Sequence, residues 1–430
     1  MTVPSSTTTA RAAWLVVALL WPVALLNYLD RQVLATLQPS IGAEISAVLD
    51  SRNFGRLMGI FLWIYGAVSP LSGLAADRFN RKKLIVGSLA VWSTVTLLMG
   101  YAHDYTQLYW MRALMGVSEA LYIPAGLAVI ADYHTGHTRS LAVGIHMTGF
   151  YCGQALGGFG ALAADAISWR VTFQALGVTG VIYSIVLAVF LKERRTDVPA
   201  QGMLDELRGM GRCLWALFST GAFFIILFYF AAPGAPGWVL KNWLPTLFAR
   251  MDPDTVRAML PAVQDFSNAE IASKVAKPLS TILIAASCFI GGILGGIVAD
   301  RWARRNIRGR IYTGAIGLTL TIPALVVLGY AGNPALALCA AVIFGMGWGL
   351  FDANNMPILC QFVPPRLRAA AFGFMNLTGV FIGAMTTELA GRLDKAGNLA
   401  HGIGWLALPV VMAVILILML RPVTLNRPDP

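Results

Sequence analysis

Apolar residues in this 430-residue chain gather into long, nearly unbroken runs, each separated from the next by a short polar or charged segment. The runs fall near 13–36, 55–76, 84–102, 108–131, 141–164, 171–191, 214–248, 279–299, 311–330, 335–358, 369–391 and 402–420. Each is about 20 residues long, the length that crosses a bilayer's hydrocarbon core at 1.5 Å rise per residue. The pattern predicts an all-α membrane protein with twelve transmembrane helices, the seventh long and broken by "APGAPGW". Composition agrees, because 57 % apolar and 12 % charged residues over this length describe a chain that would not stay in water. The first run is longer than a signal-peptide core and ends in "NYLDR" rather than a small-residue cleavage site, so cleavage is not expected.

The formal net charge of +11 would suit nucleic acid, but its distribution follows membrane topology instead. Basic residues collect in alternate loops, among them Arg78, Arg81, Lys82 and Lys83, then Lys192, Arg194 and Arg195, then Arg301, Arg304, Arg305, Arg308 and Arg310. Placing those loops inside puts both termini in the cytoplasm and predicts a multi-pass protein of the cell's inner (plasma) membrane, with the lipid bilayer as its surroundings and no nucleic-acid partner. The five cysteines are scattered over the apolar runs, a pattern of neither disulfides nor a metal site.

The chain also repeats itself. "GLAADRFNRKK" (73–83) follows the second run and "GIVADRWARRN" (296–306) the eighth; "GVSEALYIP" (116–124) is echoed by "GLFDANNMP" (349–357), and "RSLAVG" (139–144) by "RAAAFG" (368–373). These echoes predict two parallel six-helix bundles, 1–195 and 213–430, joined by a charged cytoplasmic linker at 196–212.

With the repeat in view, the chain resembles a major facilitator superfamily transporter over its whole length. Gly73, Ala76, Asp77, Arg78, Arg81 and Lys82 match the superfamily's loop pattern, with Asn80 where glycine is usual. The resemblance implies that Asp77, Arg81 and Asp132, with Asp300 and Arg304 in the second copy, act on the conformational gate rather than on substrate. It also implies a monomer with no enzymatic activity.

Among the charges inside apolar runs, three stand out: Asp30 and Arg31 in the first and Glu119 in the fourth. A charge at such depth costs about 2.5 to 3.5 kcal/mol on insertion scales and normally faces a partner or a water-filled path. One reading is a permanent Arg31–Glu119 ion pair that fixes helix packing. Against it, two carboxylates and one guanidinium leave an acid without a static partner, and such a group can carry a proton. The segment Asn27-Tyr28-Leu29-Asp30-Arg31 and the spacing of Arg112, Gly116, Glu119 and Ala120 are similar to the anion:cation symporter branch. That resemblance implies that Arg31 binds a substrate carboxylate, Tyr28 assists, and Asp30 and Glu119 handle the coupling proton. Sodium is the alternative coupling ion, and no cofactor is expected. Arginine's rigid donor fork suits the first role, since it grips a carboxylate at two points.

Gln154, Trp348, Asn355 and Asn376 are further candidate substrate contacts, although a structural hydrogen bond would also account for any of them. Two transport functions remain, and both fit the fold. One is proton-coupled symport of a small organic anion such as a sugar acid or monocarboxylate. The other is export of a lipid, amphiphile or drug, because "DRWARRNIRGR" (300–310) and the Asp30-Arg31 pair also resemble Spinster-like carriers. An enzyme or sensor finds no support in any nucleophile, metal cluster or appended soluble domain.

Overall fold

The computed structural model describes residues 6–134, 139–192, 215, 218–219, 221–363 and 368–420. The expected linker at 196–212 lies outside them. Among the described residues the main helices are α1 (Ser6–Thr36), α2 (Ser51–Arg78), α3 (Arg81–Met99), α4 (Tyr105–Ala120), α5 (Tyr122–Tyr133), α6 (Arg139–Gly157), α7 (Trp169–Phe190), α8 (Gly221–Ala249), α9 (Lys277–Ala303), α10 (Gly309–Tyr330), α11 (Pro334–Asp352), α12 (Asn355–Phe362), α13 (Arg368–Lys395) and α14 (Ala407–Met419). Ten helical spans are long and apolar enough to cross a membrane, with α4 and α5 forming one and α11 and α12 another. The other two runs expected to cross, at 141–164 and 369–391, are helical in α6 and α13 but are not among those ten. Both helices are rich in glycine and hydroxyl or amide side chains, which lowers their hydropathy while suiting them to close packing.

The chain divides into two compact units, one of Met1–Leu49 with Trp63–Ala200, the other of Asp50–Leu62 with Gln201–Pro430. In the first, α1 packs along α6 and α3 along α7; in the second, α8 packs along α13 and α11 along both α9 and α10. The α1–α6 seam is closed by glycine. A Cβ at Gly153 would stand 2.1 Å from the Leu25 carbonyl oxygen, and one at Gly149 would stand 2.7 Å from that of Trp21. The α8–α13 seam repeats the device, since a Cβ at Gly383 would fall 2.1 Å from the Trp238 ring.

Two prolines explain where the fourth and tenth runs break. Pro124 has no N–H for the carbonyl of Ala120, and α4 ends at that residue; Pro357 likewise leaves Ala353, and α11 ends at Asp352. The acids Glu119 and Asp352 therefore each sit just before a loosened turn. By contrast, the expected break at "APGAPGW" does not occur, and α8 runs through Pro233, Pro236 and Pro245 as one helix. Ala231 through Gly237 are all buried there, which fits the tolerance of membrane helices for proline where neighbours crowd the freed backbone. The stretch 250–278 holds the short helices Pro253–Met259 and Asn268–Glu270.

Candidate functional site

In the first unit the charges that the sequence singled out meet. Arg31 Nε donates to Glu119 Oε2 at 2.5 Å, and Asn27 Nδ2 donates to the same oxygen at 2.9 Å. Asn27 and Arg31 stand four residues apart on α1, so one helix face presents both donors to one carboxylate. The Arg31 side chain is 9 % exposed and that of Glu119 is 0 % exposed, so anything arriving from outside the cluster meets the guanidinium before the acid. Tyr28 and Tyr65 flank the guanidinium, with ring centroids 5.1 and 4.9 Å from it, within cation–π range.

Asp30 points elsewhere, as its position one residue from Arg31 requires. It is buried, and Thr96 Oγ1 on α3 donates to its Oδ2 at 3.4 Å. Glu119 Oε1 and Asp30 Oδ1 are buried without a hydrogen-bond partner among the described residues. Each can take a proton without displacing an existing bond.

The expected surplus of acid is corrected by Arg112. This α4 residue is buried about two helix turns before Glu119, and its charge acts on both Glu119 and Asp30. Two carboxylates thus face two guanidiniums, and the cluster is neutral when all four are ionised. The sequence motif contained Arg112, but its charge was not counted. Asn27 and Tyr65 were also missed as contacts, and the one-turn spacing of Asn27 from Arg31 was the signal for the first.

Beneath the charges runs a chain of rings. Tyr28 packs on Phe150 at 5.0 Å, Phe150 on His146 at 5.3 Å, and His146 on Tyr122 at 6.0 Å. Tyr122 donates its hydroxyl to the Leu20 carbonyl at 3.0 Å and lies 3.3 Å from His146 Nε2, which ties α1, α5 and α6 together. Gln154 is buried beside Gly153 on the α1–α6 seam.

In the second unit aromatic rings gather around a lysine. Trp348 stacks on Phe344 at 6.0 Å and meets Phe351 edge-on at 5.5 Å. Lys241, on α8, holds its ammonium 5.0 Å from the Trp238 ring centroid and 5.9 Å from that of Trp348. Asn355 donates to Asp352 at 3.1 Å, and Asn354 donates to the Leu350 carbonyl at 2.8 Å. Asn376 is half-buried on α13. Lys241 was not among the candidates, although a lysine inside an apolar run is a signal of the same kind as Arg31.

At the loop after α2, Arg81 forms an ion pair with Asp132 and donates to the Ala76 carbonyl at 3.0 Å. The Asp77 side chain lies outside those described. In the second copy, Asp300 pairs at 3.1 Å with Arg310 on α10, and Arg304 is exposed. Helix α12, "NMPILCQF", carries no acid to play the part of Asp132.

The sequence profile of the Major Facilitator Superfamily matches residues 20–387. The chain belongs to this superfamily. Superfamily relatives of several kinds resemble it. A D-galactonate transporter of Escherichia coli is 24 % identical over 95 % of this chain and 94 % of its own length. A hexuronate transporter of Bacillus subtilis is 24 % identical over 90 % of this chain and 91 % of its own. A sphingosine-1-phosphate transporter of Xenopus tropicalis is 25 % identical over 83 % of this chain and 69 % of its own. Among solved structures, a bacterial homologue of the human lysosomal transporter Spinster, inward-facing and occupied, matches with a TM-score of 0.71 at 20 % identity, covering 94 % of this chain and 96 % of that one. The chain is therefore a superfamily membrane transporter.

Proposed function

We propose that this transporter is a proton-coupled symporter of a small organic anion, a sugar acid or related monocarboxylate, working as a monomer in the cell's inner membrane with both termini cytoplasmic. The carrying observation is the neutral cluster of Asp30, Arg31, Arg112 and Glu119, in which the more accessible Arg31 is held by the fully buried Glu119. An anion that captures Arg31 competes directly with Glu119. Burial of an uncompensated carboxylate is costly, and uptake of one proton removes that charge. Anion and proton then enter together, and release of the anion lets Arg31 and Glu119 re-form their bond and expel the proton. Asp30 contributes a second protonatable carboxyl behind Arg31, and Tyr28 and Tyr65 hold the guanidinium in place.

Asp77, Arg81 and Asp132 serve the gate in the first unit, with Asp300 and Arg304 in the second. Gln154, Trp348, Asn355 and Asn376 contribute to substrate contact. The relatives that carry D-galactonate and hexuronate support the substrate class.

One observation favours a second reading, export of an amphiphile. Asn354 and Asn355 are engaged within the protein, while the half-buried Trp348 lies against the buried rings of Phe344 and Phe351 and shares Lys241 with the half-buried Trp238. Proteoliposomes containing a pH-sensitive dye separate the two. Symport predicts acidification inside the vesicles on adding D-galactonate or D-glucuronate outside, abolished in Arg31→Ala and Glu119→Gln. Folded protein that moves no protons with any sugar acid but binds single-chain amphiphiles would establish the second reading instead.

A further inference from the structure

Aligning the start of the two repeats places a second cation where Arg31 stands. "NYLDRQ" (27–32) in α1 and "GWVLKN" (237–242) in α8 share an aromatic residue at the second position, a cation at the fifth and an amide at the sixth. The geometry repeats with the letters. Arg31 lies 5.1 Å from the ring of Tyr28, three residues before it, and Lys241 lies 5.0 Å from the ring of Trp238, also three residues before it. The acids correspond as well: Glu119 of "GVSEALYIP" aligns with Asp352 of "GLFDANNMP", and each sits just before the turn that its proline loosens.

The second copy differs in ways that open it to a ligand. Glu119 bonds Arg31 directly, whereas Asp352 bonds Asn355 and acts on Lys241 through its field. At the position of Asn27 stands Gly237, and a Cβ there would fall 2.2 Å from the Trp348 ring. The missing side chain lets that ring lie across α8, 5.9 Å from the ammonium. Lys241 is half-buried and eight residues inside the end of α8, roughly 12 Å along the helix. A cation at that depth normally serves a partner or a solvated path.

We infer that the second unit has its own oxyanion-binding site, in which the Lys241 ammonium takes a carboxylate or phosphate group between the Trp238 and Trp348 rings, with Asp352 as the resident counter-charge. An ammonium offers three donors on a flexible stem, so it accepts oxyanions of different shape where Arg31 prefers the planar carboxylate fork. The site stands whether or not Arg31 and Glu119 couple a proton.

The test is equilibrium binding to the full-length protein in nanodiscs without any gradient, with D-galactonate and dodecyl phosphate as probes. Lys241→Met is expected to weaken binding at least tenfold and Lys241→Arg to keep it within about threefold of wild type. Asp352→Asn is expected to strengthen it, because the competing negative charge is gone. A purely structural lysine–aspartate contact would make Lys241→Met and Asp352→Asn fail alike, and that result overturns the inference, as does wild-type affinity in Lys241→Met or no binding of either probe to wild type. The probe that responds to Lys241 distinguishes a free sugar acid from an amphiphile's phosphate head. Repeating the Lys241→Met and Lys241→Arg comparison in a Glu119→Gln background keeps the two readings apart, because a failed coupling mechanism leaves the Lys241 dependence of binding in place and a failed second site removes it.

Discussion

Removing one partner of the Arg31–Glu119 pair tests the charge balance of the first unit. Glu119 is fully buried and Arg31 nearly so, so breaking the pair falls in the range of about 3–5 kcal/mol measured for buried ion pairs that lose one member. Glu119→Gln keeps an oxygen acceptor for Asn27 and belongs at the lower end, near 3 kcal/mol. Arg31→Met leaves a carboxylate facing Asn27 and the more distant charge of Arg112, and belongs higher. The double variant removes both charges, restores neutrality, and should lie within about 1 kcal/mol of wild type. The two single variants also differ in pH response. Arg31→Met has an excess buried carboxylate that a proton neutralises, so its stability rises as the buffer is taken from neutral to mildly acidic pH. Glu119→Gln has an excess guanidinium that cannot lose its proton, and acid does not help it. Equilibrium unfolding in mixed micelles over that pH range reads both effects. Additive losses in the double variant, or equal pH responses of the two singles, would refute the neutral-cluster argument.

Gly153→Val should disrupt the α1–α6 seam by overpacking, losing about 1–3 kcal/mol, because the new side chain meets the Leu25 backbone; Gly87→Val, where nothing lies within 4 Å, is the matched control in the same unfolding assay. Arg170 and then Trp169 hydrogen-bond the Glu44 carboxyl and hold it below its usual range. That contribution is present above the ordinary carboxylate value of 4.5 and is lost as pH falls through the lowered folded value, and since Glu44 is half-exposed, Glu44→Gln should cost only about 0.2–1 kcal/mol at neutral pH. Asp132→Asn removes the Arg81 ion pair, a partly exposed bond worth about 1 kcal/mol, and should shift the balance of conformations about fivefold, seen as a changed transport rate with unchanged substrate affinity.

Much of the fold was legible because lipid imposes a simple rule: apolar runs of bilayer length become helices. The reading failed where that rule meets packing. At "APGAPGW" two turns of small residues and prolines looked like a break in isolation, yet their burial keeps α8 continuous. Pro124 and Pro357, which drew no comment as helix breakers, do interrupt their helices, because neither offers an N–H to the carbonyl four residues back. Whether a proline bends, breaks or merely crosses a helix depends on neighbours distant in sequence. The gate shows the same limit. Arg81 and Asp132 meet, but in the duplicated loop α12 offers no acid to Arg304, which is exposed, and Asp300 pairs with Arg310.

The site was legible in its residues and misread in its charge. Asp30, Arg31 and Glu119 announced themselves as ions in apolar runs, whereas Arg112 was seen only as part of a spacing pattern, and its omission made the cluster look acidic. Counting it changes the coupling that the proposed mechanism requires. A neutral cluster that admits a monovalent anion becomes negative by one unit unless one proton enters too, and a low-dielectric site resists that unbalanced charge. Coupling should therefore be one proton per monocarboxylate, and no net charge crosses the membrane. In proteoliposomes with the potential clamped by potassium and valinomycin, D-galactonate uptake driven by a pH gradient should be insensitive to the imposed voltage. One moved charge would be worth about 2.3 kcal/mol per 100 mV, enough to shift accumulation nearly fiftyfold. A response of that size would mean that Asp30 and Glu119 each carry a proton in the same cycle, and the balance between two acids and two guanidiniums would not be what sets the stoichiometry.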